Sequence, residues 1–146
     1  ETATLSCYST AAGVEFAVVG GVAVSLNGFV RSTDDLDILV DENPDNIRKL
    51  LACLRGWGEG WARELTPDDF RPQEGSVRVT EDFELDIFTR MRGHSLAGFR
   101  SHVRRLDASG VAIPYLDAEA LIQLKRDSWR EKDRIDVEAL TRIARR

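Results

Sequence analysis

Apolar residues fall in short blocks divided by glycine, proline and charged residues, and their spacing changes from block to block. Phe16-Ala17-Val18-Val19 is a continuous apolar run, the pattern of a strand buried on both faces of an α/β sheet. It stops at Gly20-Gly21, and Val22-Ala23-Val24-Ser25-Leu26 predicts a packed helix that closes at Asn27-Gly28. Leu36-Asp37-Ile38-Leu39-Val40 predicts a second buried strand with a carboxylate near its start. Asn43 before Pro44 is an N-cap pair, and Ile47, Leu50, Leu51 and Leu54 carry a helical stripe to Gly56. Ser76-Val77-Arg78-Val79 alternates as a half-exposed strand, and the block from Phe83 to Phe88 reads as its hairpin or sheet partner, with Asp86 among apolar neighbours. A short helix or turn is expected around Ser95 to Phe99. A hairpin follows, in which His102 to Leu106 and Val111 to Leu116 flank Ala108-Ser109-Gly110. Asp117 then caps a helix containing Leu121, Ile122 and Leu124, and a last helix carries Ile135, Val137, Leu140 and Ile143. Two further expectations are a short helix from Thr4 to Ala12 closed by Gly13, and an irregular, mobile or substrate-facing loop from Gly56 to Gly75.

With 146 residues, 42% of them hydrophobic, and no repeat or linker, the chain is expected to form one domain over residues 1–146. A formal net charge of -5 offers no general attraction to nucleic acid or anionic membrane. The Lys/Arg-rich end from Lys125 to Arg146 is interleaved with Asp127, Glu131, Asp133, Asp136 and Glu138, the pattern of a solvated helix face. Cys7 and Cys53 have no zinc-like spacing, and neither a signal peptide nor a membrane-length apolar run is legible. A cytoplasmic protein without membrane contact is expected. His94 and His102 show no Ser/His/Asp or Cys/His context and receive no role, while Trp57, Trp61 and Trp129 are candidates for base stacking or core packing.

The acids carry the candidate chemistry. Residues two apart in a strand point the same way, so Asp35 and Asp37 project together, and two like charges so placed call for a cation between them. Oxygen ligands favour Mg²⁺ or Mn²⁺. Asp86 completes a three-carboxylate site if its strand lies beside the first, which would permit two metals and an in-line displacement. Gly20-Gly21, between strand and helix, suits an anionic ligand.

Gly20-Gly21 followed by Arg31-Ser32-Thr33-Asp34-Asp35-Leu36-Asp37 resembles the signature of the DNA polymerase β-type nucleotidyltransferase superfamily, and more closely that of small bacterial AbiEii-like and uncharacterised nucleotidyltransferases. Leu121-Ile122-Gln123-Leu124-Lys125 resembles the family's helix with a phosphate-facing lysine, and the stretch from Arg130 to Asp136 its R-x-K-D-x-x-D helix. The resemblance implies an α/β (α+β) nucleotidyltransferase fold, a mixed sheet packed by helices, and transfer of an NMP from an NTP to a hydroxyl of RNA, protein or a small molecule. It implies Asp35, Asp37 and Asp86 as metal ligands and catalytic acids. Gly20, Gly21, Arg31, Thr33 and Lys125 would bind nucleotide, with Asp133 or Asp136 as a late acidic site residue. It also implies a toxin with an antitoxin partner. Many relatives have Gly-Ser where this chain has Gly20-Gly21, and no second helical domain is evident. Those departures keep a second expectation open, a catalytically inactive binding or regulatory partner of the same fold.

Overall fold

The computed structural model describes residues 13–33, 35–108 and 110–145. The helix expected from Thr4 to Ala12, with Cys7, lies outside the described residues. Six strands form one mixed sheet: β1 (Phe16–Val19), β2 (Asp35–Val40), β3 (Ser76–Thr80), β4 (Glu84–Phe88), β5 (Val103–Ala108) and β6 (Val111–Leu116), in spatial order β3-β4-β2-β1-β6-β5. β2 runs parallel to β4 and β1 parallel to β6, while β1/β2, β3/β4 and β5/β6 are antiparallel. The central position of β1 explains its composition, since all four of its residues are buried.

Among the described residues four helices accompany the sheet: α1 (Gly20–Leu26), α2 (Pro44–Arg55), α3 (Ala118–Lys125) and α4 (Glu131–Ala144). α1 begins at the double glycine itself, two residues before the expected Val22, because Gly20 adopts φ 66° and bends the chain directly from strand to helix. α2 starts as its sequence predicts, with the Asn43 side chain accepting from Asp45 N at 2.9 Å and Pro44 in the first turn, a cap worth about 1 kcal/mol. It turns Ile47, Leu50, Leu51 and Leu54 into the core. Asp117 caps α3 through Ala120 N at 3.0 Å. α1 packs on β1, β2 and β6 and against α3, which packs on α4.

The stretch from Gly56 to Gly75 is not an open loop. It folds into two 3₁₀ turns, Trp61–Glu64 and Pro67–Phe70, and buries Trp57, Ala62 and Phe70. The Glu81 carboxylate accepts from Glu59 N and Trp61 N, and Thr89 Oγ1 donates to Arg71 O at 3.1 Å, so both halves are tied to the β3/β4 hairpin. Three aromatic or apolar anchors outweigh the glycines and prolines that suggested mobility. Among the described residues no helix is long and apolar enough to cross a membrane. Cys53 is half-buried on α2 and packs against the core.

Candidate active site

Strand alternation divides β2 and β4 into a wet face and a dry one. Leu36, Ile38, Val40, Leu85 and Ile87 point to one face and are buried, while Asp35, Asp37, Glu84 and Asp86 point to the other. The parallel register sets Asp37 beside Asp86 and Asp35 beside Glu84, so four acids form two rungs of one ladder. The next strand extends the upper rung, because Arg78 on β3 is the register partner of Asp86.

Within each rung the paired acids hydrogen-bond and raise one member. Asp37 is pushed up to about 6 from 3.8, by burial first and then by the charges of Asp86 and Asp35, and in its protonated form it donates to Asp86. Glu84 is likewise raised, chiefly by its hydrogen bond with Asp35. Asp86 behaves oppositely. Although only 6% exposed, it is held below the usual carboxylate range by the Arg78 guanidinium, which donates Nε to Oδ1 at 2.8 Å and Nη2 to Oδ2 at 2.9 Å. Arg78 reaches Asp35 Oδ2 at 3.4 Å and Glu84 Oε2 at 3.1 Å as well, and thus sits among three of the four acids.

The double glycine closes this site from the β1 side. A Cβ at Gly20 would overlap Asp37 Oδ2 and come within 3.0 Å of its Cγ, so glycine permits the carboxylate to lie against the backbone. A Cβ at Gly21 would stand 3.0 Å from Arg31 Nη1 and from Thr33 Oγ1. A serine here would therefore have to displace Arg31 or Thr33, which gives a local reason for the Gly-Gly departure.

Behind the acids lies a second charged cluster. Arg31 makes a two-pronged pair with Asp136 on α4, Nε to Oδ1 at 2.9 Å and Nη2 to Oδ2 at 2.8 Å. Lys125, at the end of α3, contacts Asp136 Oδ2 at 3.2 Å and Asp133 Oδ1 at 3.1 Å, and its charge reaches Asp37. Burial alone would raise Asp133, but the Ser128 hydroxyl at 2.8 Å and the Lys125 ammonium together hold it below its ordinary value. Asp136 is fully buried, so these are cross-element contacts that join α3, α4 and the Arg31 segment, not helix-surface pairs. Arg31 and Lys125 are accordingly paired with carboxylates, not free toward the acid ladder.

The fold brings Gly20, Gly21, Thr33, Asp35, Asp37 and Asp86 to one place, with Arg31, Lys125 and Asp133 in the adjoining cluster. Sequence reasoning gave no role to Arg78 or to Glu84. Counting outward across the β3/β4 hairpin from Thr80 and Glu84 would have placed Arg78 opposite Asp86. His102 does have a carboxylate partner, Asp117, at 3.1 Å, invisible in sequence because the fold brings together residues 15 positions apart. That carboxylate also caps α3 and contacts Arg104 at 3.4 Å, so it fastens the β5/β6 edge. Trp57 is buried against Phe83, whereas Trp61 and Trp129 are exposed.

The donor set suits a hard divalent cation at Asp35 and Asp37, since burial and the neighbouring acids raise the Asp37 carboxyl to about 6 and a cation there would offset that repulsion. Among the described residues, however, no three His, Cys, Asp or Glu side chains converge as a ready-made metal cage.

No curated protein matches the chain. In fold it is similar to an antigenic nucleotidyltransferase-like protein from Paracoccidioides brasiliensis, with 16% identity and a TM-score of 0.57 over 92% of this chain and 70% of that one. It is also similar to a candidate nucleotidyltransferase from Thermotoga maritima, with 15% identity and a TM-score of 0.51 over 92% of this chain and 84% of that one. At such identities the likeness concerns the fold. The family model for a nucleotidyltransferase of unknown function (DUF6036) matches residues 3–145, nearly the whole chain, and the protein belongs to that family.

Proposed function

We propose that this protein is a divalent-metal-dependent nucleotidyltransferase that moves an NMP from an NTP to a hydroxyl group of RNA, protein or a small molecule. The observation that carries the reading is the Asp37 carboxyl, set between Asp35 and Asp86, pressed on Gly20 and raised to about 6 by burial and by those two acids. Asp35 and Asp37 would hold Mg²⁺ or Mn²⁺, which when bound supplies positive charge to the phosphate oxygens and the departing pyrophosphate. Gly20 lets the Asp37 carboxylate lie against the backbone where α1 begins, and Thr33 Oγ1 is the hydroxyl beside Gly21. The acceptor oxygen bonds to the α-phosphorus as the bond to pyrophosphate breaks. Its proton passes to the carboxylate of Asp86 beside Asp37, which the Arg78 guanidinium keeps ionised. A cytoplasmic setting fits an NTP substrate, and the AbiEii-like resemblance extends the proposal to a toxin restrained by an antitoxin.

A second reading, a catalytically inactive binding partner, is favoured by one observation: Arg31 and Lys125, the cations offered for phosphate, are already paired with Asp136 and Asp133. Incubation of a cell extract with each NTP labelled at the α-phosphate separates the two. Label transferred to an acceptor in the presence of Mg²⁺, and lost with Asp37→Asn, supports the enzyme. Binding of a partner that survives Asp37→Asn, with no transfer from any NTP, supports the alternative.

A further inference from the structure

The guanidinium of Arg78 lies within the acid ladder, reached from β3. Four carboxylate oxygens surround it: both of Asp86 at 2.8 and 2.9 Å, Glu84 Oε2 at 3.1 Å and Asp35 Oδ2 at 3.4 Å. Asp86 is buried, and each of its oxygens accepts from Arg78, with Ser76 Oγ a further 3.5 Å donor to Oδ1. The Arg78 side chain is half exposed, but its planar guanidinium is held by the two-pronged pair with Asp86 on the neighbouring strand.

We infer that Arg78 takes the place of a second metal ion, so that the site loads one divalent cation per chain, at Asp35 and Asp37, while Asp86 remains bound to the arginine. The inference rests on the metal-dependent reading above. It follows from charge and space together. A divalent ion on Asp86 would lie within a few ångströms of the guanidinium and be repelled by it, and it would have to take oxygens that already accept two strong hydrogen bonds. The absence of a three-carboxylate cage among the described residues agrees with this arrangement, since the third acid is turned to Arg78. Arg78 is a positioning residue on this account. It fixes the orientation of Asp86 beside Asp37 and supplies one positive charge that needs no loading from solution.

The test counts Mn²⁺ bound to the purified protein by electron paramagnetic resonance of the free ion, for the wild type, Arg78→Gln and Arg78→Lys, with circular dichroism to establish that each is folded. One Mn²⁺ per wild-type chain is expected, with any second ion bound at least ~100-fold more weakly. Arg78→Gln is expected to bind two, and Arg78→Lys, which restores a point charge, to return to one. Two ions of similar affinity on the wild type, or a single ion on a folded Arg78→Gln, overturns the inference and leaves the metal-dependent reading standing. No Mn²⁺ on any of the three overturns both.

Discussion

Asp37→Asn is expected to make the metal-free protein more stable at alkaline pH while removing its metal site. In the folded chain Asp37 titrates at about 6 instead of 3.8, so between these values the native state holds a proton that the unfolded chain has lost. Stability therefore falls as pH rises from about 4 to about 6, and stays lower above that window. At about 1.4 kcal/mol per tenfold change in acidity, the full shift corresponds to about 3 kcal/mol. Asp37 is partly open to solvent, which screens its neighbours, and about 1–2 kcal/mol is a better expectation. Asparagine keeps the shape, carries no charge and donates an N–H to Asp86. In a chelator at pH 8, thermal unfolding followed by circular dichroism should place the variant about 3–6 °C above the wild type. At pH 4.5, where folded Asp37 is itself largely neutral, the difference should shrink to well under half of that. A variant less stable than wild type at pH 8, or a difference that does not change between the two pH values, refutes the reasoning.

Asp136→Ala leaves Arg31 and Lys125 without their buried carboxylate, and urea titration should show a loss of about 3–5 kcal/mol; a loss below about 1 kcal/mol contradicts the role given to the cluster. Asn46 accepts from Glu15 N at 2.7 Å and donates to Glu15 O and Asp41 O at 3.0 and 2.8 Å, clamping the chain beside β1 to the end of β2, so Asn46→Ala should cost about 2–4 kcal/mol in the same titration. Gly20→Ala puts a side chain at positive φ and against Asp37, and it should lose about 1–2 kcal/mol of stability together with Mn²⁺ binding. Retained Mn²⁺ affinity in that variant would show that the Asp37 carboxylate does not need its place against the backbone.

Most of the elements were legible because their patterns were local. The unbroken run of β1, the Asn43-Pro44 cap and the stripe of α2 each depend on neighbours within one or two turns. Asp35 and Asp37 were legible for the same reason, since strand alternation alone puts them on one face. Whether Asp86 would join them was a question of strand order, and the parallel β2/β4 pairing that answers it has no short-range signature. Arg78 was harder still. Its alternating strand read as half-exposed, which it is, and exposure concealed that its charged end lies across three acids. Asp136, by contrast, sat in a charge-rich helix that reads as solvated, and only the docking of α4 on Arg31 buries it. The Gly56 to Gly75 stretch misled in the opposite direction, because its glycines and prolines are conspicuous while the contacts of Trp57, Ala62 and Phe70 are long-range.

The central claim, a nucleotide site that depends on a metal held by Asp35 and Asp37, is tested most directly by calorimetric titration of each of the four NTPs with and without Mg²⁺, with a folded Asp35→Ala/Asp37→Ala double variant beside the wild type. The account predicts binding of at least one NTP by the wild type only when Mg²⁺ is present, and none by the double variant. Binding that is indifferent to Mg²⁺, or that survives removal of both carboxylates, would contradict it.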